Sequence, residues 1–191
     1  MLKQRVITAL VLLALLLPAL FAPVSWPFLA LTLVLITAGA WEWGRLNGLT
    51  PGGQWLGALM CLGACWLAER AGWIQGTPPQ VWLLAGSMWV LLGAWMIQRG
   101  VSGWALWPRH LRWLAGLALL ALAWLAMAQA HHRGVNLLLS VLVLVLAGDG
   151  FAYFFGRALG GRWVPVKLAP GISPGKSWEG VFGGMLGVFL V

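Results

Sequence analysis

Long apolar runs recur along this chain, and they constrain its fold more than any other feature. A run of near twenty apolar residues crosses the roughly 30 Å hydrocarbon core of a bilayer as one helix. Charged residues make up 8% of the 191 residues, against about a quarter in soluble domains. The fifteen tryptophans fit the same class, because tryptophan is enriched at the headgroup level. The composition therefore excludes an ordinary soluble domain.

The apolar runs predict an all-α, polytopic integral membrane protein with about six complete transmembrane helices and the start of a seventh. The predicted spans are 6–22, 27–41, 55–68, 81–97, 113–130 and 135–155, and the seventh begins near Val181. The third span is short, and a re-entrant segment is its alternative. We interpret the first as uncleaved, since no small-x-small cleavage site follows it. We expect a single membrane domain over 1–191, incomplete at its C-terminus, with a cytoplasmic basic loop at 156–180.

The positions of the basic residues predict the orientation, because Lys and Arg collect in cytoplasmic loops. With six spans and a cytoplasmic N-terminus, ten of the twelve basic residues lie inside, and Arg70 and Arg133 lie outside. Without the third span, five would lie inside and seven outside. The ten are Lys3, Arg5, Arg45, Arg99, Arg109, Arg112, Arg157, Arg162, Lys167 and Lys176. The net charge of +8 therefore reflects orientation, and we expect no nucleic-acid partner.

A polar stripe interrupts the sixth predicted span. Asp149, Tyr153 and Arg157 repeat at i, i+4 and i+8, so they share one helix face. A charge at the bilayer centre costs about 2.5–3.5 kcal/mol on insertion scales, and less near the interface. Such a residue usually faces a cavity, a partner or a metal ion. Asp149 is therefore a candidate functional residue, and its alternative role is a structural pair with a basic residue of another helix.

The stretch LAPGISPGKSWEG, residues 168–180, carries a second candidate site. A P-loop is excluded, because three residues instead of four separate Gly171 from Gly175. Ser173 is predicted to cap a helix that starts at Pro174. Lys176 would then lie in the first turn, where a cation opposes the helix dipole unless an anion binds there. The alternative is an ordinary capped helix whose lysine contacts lipid phosphate.

Glu179 follows Lys176 by three residues, on the same side of the predicted helix. Two roles are open for this carboxylate at this point. It can pair with Lys176, or it can help to hold a cation near the basic loop.

Together, GDGFAYFFGRALGGR and LAPGISPGKSWEGVFGG resemble two motifs of the phosphatidate cytidylyltransferase family, also called CDP-diacylglycerol synthases. The matching positions are Asp149, Ala152, Tyr153, Gly156, Arg157, Pro170, Ile172, Ser173, Pro174, Lys176, Glu179 and Gly180. The early stretch AWEWGRL also resembles the family's N-terminal half, so the resemblance covers essentially the whole chain. The family continues into a C-terminal signature with further metal-binding aspartates, which these 191 residues lack. We therefore expect little activity from this chain alone.

The resemblance implies transfer of a cytidylyl group from CTP to phosphatidate, which gives CDP-diacylglycerol and pyrophosphate in phospholipid biosynthesis. It implies Mg²⁺ as cofactor and a bacterial-type inner membrane, with the active side cytoplasmic. The expected partners are CTP, phosphatidate, membrane lipids and a second copy of the chain in a homodimer. The implied site consists of Asp149 and Lys176 as catalytic residues, Arg157, Ser173 and Tyr153 in substrate binding, and Asp149 and Glu179 as metal ligands. A transporter or flippase of an anionic lipid or solute is the alternative function, and an inactive truncated membrane subunit is a third.

Overall fold

The computed structural model describes residues 2–168 and 173–191, and every regular element in that part is an α-helix. The seven helices of the described chain are α1 (Leu2–Leu20), α2 (Trp26–Leu46), α3 (Pro51–Arg70), α4 (Pro79–Ala105), α5 (Arg109–Arg133), α6 (Val135–Leu159) and α7 (Trp178–Leu190). The predicted all-α class is confirmed. Each predicted span overlaps a helix, and the seventh helix begins at Trp178, three residues before the predicted start.

Four of the described helical segments are long and apolar enough to cross a membrane. They are Trp26–Leu46, Pro79–Gly100, Arg109–Arg133 and Val135–Leu159. The apolar part of α1, Leu10–Leu20, and α7 are shorter, and α3 is not among the four. The chain is thus an integral membrane protein, whereas the count of six complete spans is not confirmed.

Local sequence chemistry explains where α3 begins and where α4 is broken. Thr50 caps α3, because its side chain accepts a hydrogen bond from Gly53 N and Pro51 takes the first helical position. Gly100 has φ of 63° inside α4, so the helix is broken there. Glycine tolerates this left-handed conformation because it has no Cβ. The kink therefore limits the apolar part of α4 to Pro79–Gly100.

The chain divides into two compact units, and the first covers Met1–Val135. Its core contains the buried residues Ala40, Cys61, Cys65, Ile74, Leu117, Trp124, Leu125 and Ala128. In this unit, tryptophan side chains pack on glycines of neighbouring helices. The Trp43 indole donates a hydrogen bond to Trp113 O at 3.1 Å and lies where a Cβ at Gly116 would be. Trp113 in turn packs on Gly57, where an added Cβ would lie 3.0 Å from its indole nitrogen.

The second unit covers Asn136–Val191 and consists of most of α6, the basic loop and α7. Glycines bring its two helices into backbone contact. A Cβ added at Gly180 would lie 3.0 Å from Ala152 O, and one at Gly187 would lie 2.9 Å from Ala147 O. The helices are antiparallel, because the later residue of α7 meets the earlier residue of α6. Small residues allow such close approach between membrane helices. The single membrane domain expected over 1–191 stays a prediction.

Candidate functional site

The predicted polar stripe lies on an exposed face of α6. Asp149, Tyr153 and Arg157 share one face of α6, as the i, i+4, i+8 spacing predicts, and all three side chains are exposed. Arg157 Nη1 donates a hydrogen bond to Tyr153 Oη at 2.9 Å, and Asp149 takes no part in this bond. The tyrosine therefore orients the guanidinium, whose other N–H groups remain available as donors. An arginine held in this way is suited to bind a phosphate oxygen.

The predicted helix start at Ser173 is wrong. Residues 173–176 form a turn in which Lys176 N donates to Ser173 O at 3.0 Å. Pro174 occupies the second position of this turn, where its fixed φ is favoured. The helix starts later, with Ser177 as its N-cap, and the Ser177 side chain accepts from Gly180 N. Lys176 thus precedes the helix, and the dipole argument for a bound anion no longer applies to it.

Four basic side chains of the loop are exposed, although none of them lies at a helix start. Arg157, Arg162, Lys167 and Lys176 are all exposed. Leu168 N donates to Lys176 O at 3.3 Å, which joins the two described halves of the loop. The segment thus presents donors and positive charge without a neighbouring exposed carboxylate in the described part of the loop. Pro170 and Ile172, two positions of the second motif, lie outside the described residues.

Glu179 lies in the first turn of α7 and is 0% exposed. Its Oε1 accepts hydrogen bonds from Trp163 N and Val164 N, each at 2.9 Å. Bonds from backbone N–H groups, that of Val164 first, lower the pKa of Glu179 to about 2, so the carboxylate is ionised at neutral pH. No salt bridge joins Glu179 to Lys176 in the described structure. Glu179 therefore does not pair with Lys176, and its carboxylate instead accepts hydrogen bonds from the backbone after α6.

The two carboxylates predicted to bind Mg²⁺ have different surroundings. Glu179 Oε2 is buried and has no hydrogen-bond partner, whereas Asp149 is exposed on α6. Gly156 of α6 packs on Gly180, the residue that follows Glu179. Asp149 lies seven residues before Gly156, which is about 10 Å along α6. No group of three or more His, Cys, Asp or Glu side chains is placed to hold a metal ion among the described residues. These residues alone do not form a magnesium site, so both metal-binding roles stay predictions.

Sequence reasoning missed two features of the site. The Pro174–Gly175 dipeptide is a turn signal, and it could have placed the helix start at Ser177 instead of Ser173. The bonds from Trp163 and Val164 to Glu179 had no such signal, because backbone N–H groups carry no sequence identity. The predicted catalytic roles of Asp149 and Lys176 and the substrate-binding roles of Arg157, Tyr153 and Ser173 stay predictions.

The chain is similar to curated bacterial proteins named phosphatidate cytidylyltransferase. It is 36% identical over 197 residues to one from Pseudomonas aeruginosa, a match that covers 97% of this chain and 67% of that relative. It is 35% identical over 210 residues to one from Haemophilus influenzae, covering 97% of this chain and 69% of the relative. A Brucella abortus protein of the same name is 36% identical over 102 residues, covering 53% of this chain and 33% of that protein. No solved structure matches the chain.

Residues 3–191 also match the family model described as the cytidylyltransferase family. That match includes the basic loop and both motifs on which the resemblance was based. It confirms the predicted enzyme class, a nucleotidyltransferase. The family resemblance drawn from the two motifs is thereby confirmed, and the chain belongs to the cytidylyltransferase family.

Proposed function

We propose that this chain transfers the cytidylyl group of CTP to phosphatidate, with CDP-diacylglycerol and pyrophosphate as products. The observation that carries the proposal is the exposed basic loop, which follows an apolar helix of membrane length in a member of the cytidylyltransferase family. The relatives named above carry this activity in their names. A lipid substrate requires an enzyme in the membrane. A triphosphate requires positive charge at the membrane surface, where it meets the lipid.

In the proposed reaction, a phosphate oxygen of phosphatidate attacks the α-phosphorus of CTP. The bond from that phosphorus to the bridging oxygen of the β-phosphate breaks, and pyrophosphate leaves with the electron pair. The lipid phosphate is itself the nucleophile, so catalysis consists of positioning and charge stabilisation. No side-chain nucleophile is needed.

The roles of the basic-loop residues follow from their placement. Arg157, oriented by Tyr153, offers a fixed fork of donors to a phosphate. Lys176 is anchored through its backbone on both sides, by Ser173 O and by Leu168 N. Its ammonium is proposed to stabilise charge on the leaving pyrophosphate. Ser173, at the first position of the same turn, is proposed to hydrogen-bond the substrate.

Mg²⁺ remains part of the proposal as the expected cofactor. Magnesium in such enzymes is bound through one or two carboxylates together with substrate phosphates, and it neutralises charge on the phosphates. Asp149 is the proposed protein ligand, and a second ligand role for Glu179 would use Oε2 and would require its negative charge. Because the described residues form no complete ligand set, no step of the reaction is derived through the ion.

The proposed orientation has six membrane spans, a cytoplasmic N-terminus and the basic loop on the cytoplasmic side, where CTP is available. The ten-to-two distribution of Lys and Arg supports it. A topology reporter fused after Arg162 should report the cytoplasm. A periplasmic signal there would refute both the orientation and the placement of the site. Membrane lipids and a second copy of the chain are further proposed partners.

The experiment that tests the function measures CTP-dependent formation of CDP-diacylglycerol in membranes. The chain is expressed together with the part of the P. aeruginosa relative that it does not match, so that every region of that relative is represented. Product should require both CTP and phosphatidate, and ATP should not replace CTP. Membranes without this chain provide the control, and equal product in those membranes would contradict the proposal.

A further inference from the structure

In the basic loop, the carboxylate is buried and the cationic side chains are exposed. Glu179, its one carboxylate, is 0% exposed, whereas Arg162, Lys167 and Lys176 are exposed. The charge of Glu179 is compensated by backbone N–H groups, and bonds from N–H groups to an ionised acceptor are strong. The ammonium of Lys176 is therefore not neutralised by Glu179. An exposed carboxylate in the same place would repel the phosphates of a bound nucleotide.

Glu179 also joins two parts of the chain that lie far apart in sequence. Its Oε1 holds the N–H groups of Trp163 and Val164, 16 and 15 residues earlier. Trp163 directly follows Arg162, and Glu179 follows Lys176 by three residues. Besides this side chain, the described halves of the loop share the backbone bond from Leu168 N to Lys176 O at 3.3 Å. The Glu179 bonds are shorter, at 2.9 Å, and they lie next to Arg162.

We propose that Glu179 is a positioning residue that ties the turn at 163–164 to the first turn of α7 and thereby sets the spacing of Arg162 and Lys176 around the triphosphate of CTP. This inference rests on the proposed function for its ligand. It assigns Glu179 a role through backbone contacts, which differs from a role as metal ligand. One oxygen suffices for both hydrogen bonds, so the negative charge is not needed for the tie itself.

Three substitutions separate the two roles. Glu179→Gln keeps an acceptor oxygen at the same distance from the backbone but removes the charge. Glu179→Asp keeps the charge but is one methylene shorter and does not reach both N–H groups. Glu179→Ala removes both the acceptor and the charge. Positioning therefore predicts that the Gln variant resembles the wild type and that the Asp and Ala variants do not.

The first measurement is limited trypsin digestion of the purified protein in detergent. Trypsin cleaves the peptide bond between Arg162 and Trp163, and the N–H group of that peptide donates a hydrogen bond to Glu179. The hydrogen bond must therefore break before trypsin can act. Loss of two bonds to a charged acceptor should speed this cleavage by about tenfold or more in the Asp and Ala variants. Cleavage after the exposed Arg133 in the same digest should not change. Glu69→Ala, which removes an exposed carboxylate, is the matched control.

The second measurement is the CTP concentration that gives half-maximal protection of the same bond from trypsin. It should rise by about tenfold in Glu179→Ala and Glu179→Asp and by less than about twofold in Glu179→Gln. A role confined to folding would lower the amount of protein in membranes without changing this concentration. If Glu179→Ala does not accumulate, the comparison of the Asp and Gln variants gives the answer.

Two results would overturn the inference. Wild-type cleavage after Arg162 in Glu179→Asp and Glu179→Ala would show that the side chain does not hold the turn. Normal cleavage in Glu179→Gln with CTP protection as weak as in Glu179→Ala would assign the role to the charge, as expected of a metal ligand. Failure of the proposed function has a different signature, since CTP would then not protect the wild-type protein while the cleavage series still reports on the turn.

Discussion

The guanidinium of Arg157 donates a hydrogen bond to the phenolic oxygen of Tyr153 across 2.9 Å, one helical turn apart on the exposed face of α6. Both side chains are exposed, so the bond adds little to the stability of the helix. It restricts the rotamers of Arg157, however, and an arginine with fewer rotamers loses less entropy when it binds a phosphate.

Tyr153→Phe removes this acceptor and leaves the aromatic ring in place. We expect the KM for CTP to rise about fivefold, which corresponds to a bond of about 1 kcal/mol, with kcat nearly unchanged. Arg157→Ala should have a larger effect, because it removes the donor itself. CDP-diacylglycerol formation at varied CTP concentrations measures both, in the membranes described above. Leu146→Val, at another exposed position of α6, is the control, and an equal rise in KM there would contradict the role of the tyrosine.

Lys176 and Lys167 provide a matched pair within the basic loop. Lys176→Ala should lower kcat/KM for CTP by about a hundredfold, in the range found when one donor to a transition-state charge is removed. Lys176→Arg should restore part of the loss, because a guanidinium does not replace a compact ammonium. Lys167→Ala should have a mild effect. The same assay checks all three, and equal mild losses from Lys176→Ala and Lys167→Ala would reduce the loop to a general basic surface.

The glycines of α7 should be needed for its contact with α6. A Cβ at Gly183 would collide with the side chain of Phe155, whereas a Cβ at Gly150 on α6 meets nothing within 4 Å. Gly183→Ala should cost about 1–3 kcal/mol through overpacking and lower the Tm in detergent by several degrees. Gly150→Ala should leave the Tm unchanged or raise it, because alanine favours helix by about 1 kcal/mol. Equal Tm values for the two variants would contradict the packing described for this unit.

In the first unit, Gly116 and Trp43 should be energetically coupled. The Trp43 ring occupies the space beside Gly116, so Gly116→Ala should lower the Tm in detergent. Trp43→Phe shortens the ring system and should make room for the added methyl group. The double variant should therefore be less destabilised than the sum of the two single variants. Gly63→Ala on α3, where a Cβ meets nothing within 4 Å, is the control, and strict additivity would argue against the contact.

The amino-acid sequence determined the class of the protein, its family and the shared face of the polar stripe on α6. Each depends on a periodic or compositional property. Apolar runs of membrane length can bury their backbone polar groups only as helices in lipid, and an i, i+4, i+8 spacing places Asp149, Tyr153 and Arg157 on one face of any helix. The start of α7 was also within reach of the sequence, since the Pro174–Gly175 dipeptide favours the turn that the structure contains.

The tertiary structure alone decided which partner satisfies Glu179. The sequence left two roles open for Glu179: a pair with Lys176, which lies three residues away and carries the opposite charge, or a bound cation. The turn after α6 instead brings two backbone N–H groups to the same carboxylate. Every residue except proline has such a group, so no pattern of side chains identifies the two that will be used. Packing of α6 on α7 through their glycines brings the end of α6 close to the start of α7. The buried carboxylate of Glu179 therefore accepts hydrogen bonds from the backbone N–H groups that follow α6.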